Sequence, residues 1–83
     1  MTGEGIRQAI LEIINEIVPD EDLANVDPKV PFRDQIDLDS MDFLDIVMEL
    51  RKRYSVEVPE QDYPQLLTLS STVDYLLPKM ESL

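Results

Sequence analysis

Prolines at positions 19, 28, 31, 59, 64 and 78 punctuate this chain, because a proline inside a helix removes a backbone donor and clashes with the preceding turn. Ahead of Pro19, Ile6, Ile10, Ile13 and Ile17 recur at spacings of three and four with Glu12, Asn15 and Glu16 between them, which predicts a first helix that the proline stops. From Pro19 to Leu38 three prolines and mixed charge leave no sustained period. This segment reads as a long ordered connection anchored by Leu23, Val26, Val30 and Phe32, and a connection of that length usually bridges helix ends or forms part of a recognition surface.

The next helical period starts at Asp39 or Ser40, either of which is a good N-cap because a short side-chain oxygen accepts from the free amides of the first turn. It runs to about Tyr54, and Ser55 to Pro59 reads as a short extended link. Pro59-Glu60-Gln61-Asp62-Tyr63 suits the start of a short helix of one or two turns, restricted by Pro64. A last helix follows Thr68 to Ser71, with Val73, Leu76 and Leu77 on one side and Pro78 ending or kinking it. The expected class is all-α, in one domain spanning residues 1–83, a size at which a deep enzyme active site is hard to enclose.

On a helix over 41 to 54 the apolar residues separate into two stripes. Phe43, Ile46, Val47, Leu50 and Tyr54 form a broad core face. Met41, Leu44 and Met48 lie roughly opposite, with Asp45 among them and Asp42 and Glu49 on the flank, and a small bundle cannot easily bury both stripes. Methionines ringed by carboxylates make an adaptable apolar surface with a steering rim, expected to dock several partners. Asp34, Asp37, Asp39, Asp42, Asp45 and Glu49 cluster around Ser40, while Arg51, Lys52 and Arg53 gather at the far end, a polarity that also complements the helix dipole.

A net charge of -11 argues against nucleic-acid and anionic-membrane partners and favours a partner with a basic surface. No stretch approaches the roughly 20 apolar residues that span a bilayer, and the first residues lack a secretory pattern, so a cytoplasmic location is expected. With no histidine and no cysteine, nothing in the chain could activate Ser40 as a nucleophile, and any sulfur chemistry must be imported. Ser40 at a helix start is either a cap or a serine modified by another enzyme. A phosphate ester there would lie near free amides and the positive end of the helix dipole.

Asp39-Ser40-Met41 resembles the Asp-Ser-Leu attachment motif of acyl carrier proteins, and the likeness continues through Leu44, Val47 to Leu50, Tyr54, Val58-Pro59 and Leu69 to Leu76. The resemblance implies a small bundle of three longer helices and one short one with a long first loop, and 4'-phosphopantetheine on Ser40. A phosphopantetheinyl transferase would install the group from coenzyme A with Mg²⁺. Acyl cargo would then be held as a thioester and passed among ligase, synthase or transferase enzymes that recognise Asp37, Asp39, Met41, Asp42, Leu44, Asp45, Met48 and Glu49. The carrier itself, expected to be a free-standing monomer in fatty-acid-like or specialised lipid or polyketide biosynthesis, would catalyse nothing and hold no metal.

Three departures from the family pattern carry expectations of their own. Arg51, Lys52 and Arg53 reverse the acidic character usual at the end of the second helix, pointing to partners other than ordinary fatty-acid enzymes, and Leu38 and Phe43 replace smaller residues, which should reduce the chain-sequestering volume inside the bundle. The alternatives are a peptidyl or aminoacyl carrier, an unmodified acidic interaction module with Ser40 as its cap, and a calcium loop. The calcium reading begins well at Asp37 and Asp39 but meets Met41, Asp42 and Met48 where a ligand, a glycine and a glutamate are needed.

Overall fold

The computed structural model describes residues 1–83 and is all-helical, in the order α1 (Gly3–Ile17), α2 (Phe32–Gln35), α3 (Ser40–Tyr54), a 3-10 helix (Glu60–Leu66) and α4 (Leu69–Met80). The three longer helices and the short one before α4 are those expected, and α2 is an additional single turn within the long connection. Helix α1 starts where the Thr2 hydroxyl accepts from the Gly5 N–H at 3.1 Å. It buries Ile6, Ala9, Ile10, Ile13 and Ile14, whereas Ile17 is only half-buried because the turn before Pro19 leaves the core. It packs against both α3 and α4, and the 3-10 helix packs on α4.

The connection over residues 18–39 is held by polar contacts rather than by a period, which is why hydropathy does not outline it. Gln35 braces it from within: its side-chain amide donates to the carbonyls of Asp27 and Val30 at 2.9 Å each and accepts from the Asp27 N–H at 2.8 Å. Its middle is pinned to the start of α4, with the Phe32 N–H donating to the Leu67 carbonyl at 2.8 Å and the Ser70 N–H to the Pro28 carbonyl at 2.9 Å. Val26, Phe32 and Ile36 are its buried anchors, while Leu23 and Val30 are half-buried.

Helix α3 buries Ile46 and Leu50 and lays Phe43, Val47 and Tyr54 against the core, as the broad stripe predicted. It ends at Ser55, a non-glycine residue in the left-handed region (φ 58°) whose N–H returns to the Arg51 carbonyl at 3.0 Å. Beyond it, Val56 and Val58 point inward and Glu57 outward, the period of an extended segment. Arg53 donates to Glu16 of α1 and, at 3.3 Å, to Glu49, tying the ends of α1 and α3 together.

Thr68 and Ser71 form the capping box that opens α4, which buries Leu69, Thr72, Leu76 and Met80. One expectation changes here and another narrows. Leu77 is exposed, since it stands about 80° around the helix from Leu69 while Leu76 and Met80 stand within about 20° of it, and Pro78, expected to end or kink the helix, does not end it but sits on its exposed side while Met80 remains fully buried. The Tyr75 hydroxyl donates to Asp62 at 2.7 Å, fastening the 3-10 helix to α4, and Lys79 lies over the Tyr75 ring at 5.0 Å. No helix is long and apolar enough to cross a membrane.

Candidate functional site around Ser40

The start of α3 decides what Ser40 can do. Asp39 is the N-cap: its carboxylate accepts from the Asp42 N–H at 2.8 Å, and the Asp42 carboxylate accepts from the Asp39 N–H at 3.2 Å. Ser40 is therefore the first helical residue and not the cap. Its hydroxyl is exposed and enters no hydrogen bond in the structure. Asp42 N–H is spent on the cap and Phe43 N–H on the Asp39 carbonyl at 3.0 Å, so the N–H groups of Ser40 and Met41 are the open donors of this turn. An anionic group esterified to Ser40 would find those donors and the positive end of the helix dipole.

Beside Ser40 opens a cleft of about 490 Å³, within the range of roughly 300–1,000 Å³ usual for small-molecule sites. It is assembled from three separate segments: Phe32, Arg33, Leu38 and Asp39 of the long connection, Ser40 and Phe43 of α3, and Tyr63, Pro64, Leu66 and Leu67 around the 3-10 helix. Leu38 and Phe43 are part of the wall of this cleft. Phe43 is turned edge-on to Tyr63, with ring centroids 5.2 Å apart and planes at 70°, which stacks its bulk against the 3-10 helix. Arg33 and Tyr63, polar side chains that share the cleft with the serine, are ones that sequence reasoning did not single out. Their only signal was position in α2 and in the 3-10 helix, whose meeting with α3 is a tertiary fact.

The second stripe of α3 is on the surface. Met41, Leu44 and Met48 are 73%, 46% and 66% exposed, and Asp45 and Asp37 are exposed beside them. Met48 and Asp45 continue into a second groove, of about 790 Å³, between the end of α1 and α3, where Glu16, Ile17, Arg51 and Lys52 complete the walls. The acidic residues are not equivalent. Asp39 and Asp42 are engaged with each other, and Glu49 is only 26% exposed and paired with Arg53, whereas Asp45 has no partner in the chain. Asp37 offers its carboxylate outward while its N–H is held by Glu21 at 2.8 Å. Nowhere do three or more carboxylates gather into a group that could hold a metal ion.

Known proteins resemble this chain over most of its length. Residues 4–76 match the family described as a phosphopantetheine attachment site. An acyl carrier protein of Rubrobacter xylanophilus is 32% identical over 74 residues, covering 86% of this chain and 91% of the relative. Another, from Acidothermus cellulolyticus, is 31% identical over 78 residues, covering 92% and 89%. A meromycolate extension acyl carrier protein of Mycobacterium leprae is 32% identical over 76 residues, covering 92% of this chain and 65% of the relative. Such a match across most of the chain, joined to an all-helical fold, means that this protein belongs to the acyl carrier protein family, whose members are carriers and not enzymes and whose cofactor is covalently attached 4'-phosphopantetheine.

Proposed function

We propose that Ser40 is the attachment residue and that the chain carries acyl groups for lipid-type biosynthesis, fatty-acid-like or specialised. The observation that carries this reading is the position of the Ser40 hydroxyl, exposed and unbonded one residue after a cap supplied by Asp39. In a cap-only role the serine oxygen would be occupied by a backbone N–H. Here Asp39 performs that task and leaves the serine oxygen available as a nucleophile.

On a transferase that supplies a base and Mg²⁺, the Ser40 oxygen would bond to the phosphorus bearing the pantetheine of coenzyme A. The pyrophosphate bridge breaks, adenosine 3',5'-bisphosphate leaves, and the hydroxyl proton passes to the base. When bound, the group supplies a flexible arm ending in a thiol, on which cargo is held as a thioester. The chain's own residues then do three things. The Ser40 and Met41 N–H groups offer donors to the phosphodiester, the exposed Met41, Leu44 and Met48 stripe offers adaptable apolar contact, and Asp37 and Asp45 steer a basic partner surface towards it. The lysine and arginines at the end of α3 would select partners with an acidic patch at that distance from the serine.

Intact mass spectrometry after incubation with coenzyme A, Mg²⁺ and a promiscuous phosphopantetheinyl transferase tests the assignment. A single phosphopantetheine increment on the wild type and none on Ser40→Ala is the expected result. An increment that survives in Ser40→Ala would move the attachment elsewhere, and no increment on folded wild-type protein would remove it.

A further inference from the structure

The cleft beside Ser40 is largely apolar, with Arg33, Asp39, Ser40 and the Tyr63 phenol as its polar lining. Phe32, Leu38, Phe43, Leu66 and Leu67 supply its greasy lining, and Arg33 is the only basic side chain that reaches it. The chain has 7 basic residues in all, and most are occupied: Arg7, Arg51 and Arg53 are in ion pairs and Lys79 lies over Tyr75. Arg33 forms no ion pair and no hydrogen bond, although Asp34 and Asp37 are close to it in sequence. The hydroxyl of Tyr63, which also lines the cleft, is likewise without a partner in the chain. A purely aliphatic chain entering this cleft would leave both groups facing only water. A group with anionic oxygens would take a charge-assisted, forked contact from the guanidinium and a donor from the phenol.

Resting on Ser40 as the attachment residue, we propose that Arg33, assisted by Tyr63, binds an anionic oxygen group brought into the cleft on the arm at Ser40, and that this group is a carboxylate on the cargo. The carrier would then distinguish carboxyl-bearing acyl groups from methyl-ended ones. Asp39 in the lining and Asp34, next to Arg33 in the chain, oppose any anion here, so a single uncommitted guanidinium is what makes such a cargo acceptable. The phosphodiester of the arm has the same chemistry and is the other source of anionic oxygen that the test must separate.

The test loads wild type and Arg33→Gln from octanedioyl-coenzyme A carrying ¹³C in its free carboxyl, and also prepares both proteins with the unloaded arm. Mass spectrometry first confirms the increment, and its absence would overturn this inference together with the attachment reading. In the loaded wild type the free carboxyl should titrate about one unit below its value in octanedioyl-pantetheine, and Arg33→Gln should restore the higher value. Asp34 and Asp39 act equally in both proteins, so the difference isolates the guanidinium. Arg33→Lys, which keeps the charge without the fork, should fall between. A carboxyl that titrates alike in wild type and Arg33→Gln overturns the cargo assignment. If Arg33→Gln instead shifts the ³¹P resonance of the unloaded arm, the phosphodiester is the anion held and the selection for carboxylate cargo is wrong. No change in either signal overturns the inference entirely.

Discussion

Asp39 and Asp42 hold each other across the first turn of α3, each carboxylate accepting the other residue's backbone N–H, at 2.8 Å and 3.2 Å. Ser40 lies between them, relieved of capping. The arrangement separates a structural task from a chemical one within two adjacent residues, and it makes the two substitutions behave differently.

Asp39→Ala should destabilise the fold by about 1 kcal/mol, the usual cost of an N-cap, and fray the turn that presents the serine. Ser40→Ala should stay within about 0.5 kcal/mol of wild type, because its hydroxyl bonds to nothing. Urea unfolding of the two variants side by side measures the contrast, and a Ser40→Ala loss as large as that of Asp39→Ala would mean that the serine shares the cap.

The exposed stripe should be silent in stability and loud in recognition. Leu44→Ala and Met48→Ala are expected to leave the melting temperature nearly unchanged. Each should lower the efficiency of phosphopantetheine transfer about fivefold or more, corresponding to roughly 1 kcal/mol for a useful interface side chain. Transfer kinetics read this, and they should weaken with added salt if Asp37 and Asp45 steer the encounter.

Ser55 closes α3 with φ at 58°, where a side chain crowds the following carbonyl. Ser55→Gly removes that crowding and should raise stability by about 0.5–1 kcal/mol, seen as a later denaturation midpoint with an unchanged slope. Ser55→Val, branched at the β carbon, should move the midpoint the other way.

Alkaline pH should loosen the contact between the 3-10 helix and α4. Burial first, and then the hydrogen bond to Asp62 and its charge, push the Tyr75 hydroxyl up from 10.0 to about 12. The folded state thus keeps a proton that the unfolded chain gives up. The stabilisation is whole below pH 10 and is lost as pH rises through the window from 10 to about 12. For this half-exposed pair the loss should be roughly 1–2 kcal/mol. Tyr75→Phe lacks the titrating group, so its stability curve should be flatter than that of wild type across the same window.

Much of the helical frame was readable from the chain because its determinants are local. The spacing of Ile6, Ile10 and Ile13, the Asp39-Ser40 start and the Thr68 to Ser71 cap each act within one or two turns. The two stripes of α3 were equally readable, since helical geometry alone separates Ile46 and Leu50 from Met41 and Met48. Where local reasoning failed, the competing influence came from elsewhere in the fold. Leu77 looked apolar enough to be buried, but α1 and the 3-10 helix cover the face through Leu76 and Met80. The turn of α2 has no period of its own and exists because Phe32 is pinned to Leu67 and Gln35 to the loop behind it.

The division is clearest around Ser40. That a serine stands at the head of an amphipathic helix, among acids, in a chain without histidine or cysteine, is written in the order of residues. Each of those facts depends only on near neighbours or on composition. That the serine is left unbonded depends on which of two adjacent residues takes the cap, and the cleft beside it depends on Arg33, Phe43 and Tyr63 meeting from three segments. Side chains so far apart in sequence acquire a shared chemistry only when burial of Phe32, Ile46 and Leu66 in one core brings their backbones together.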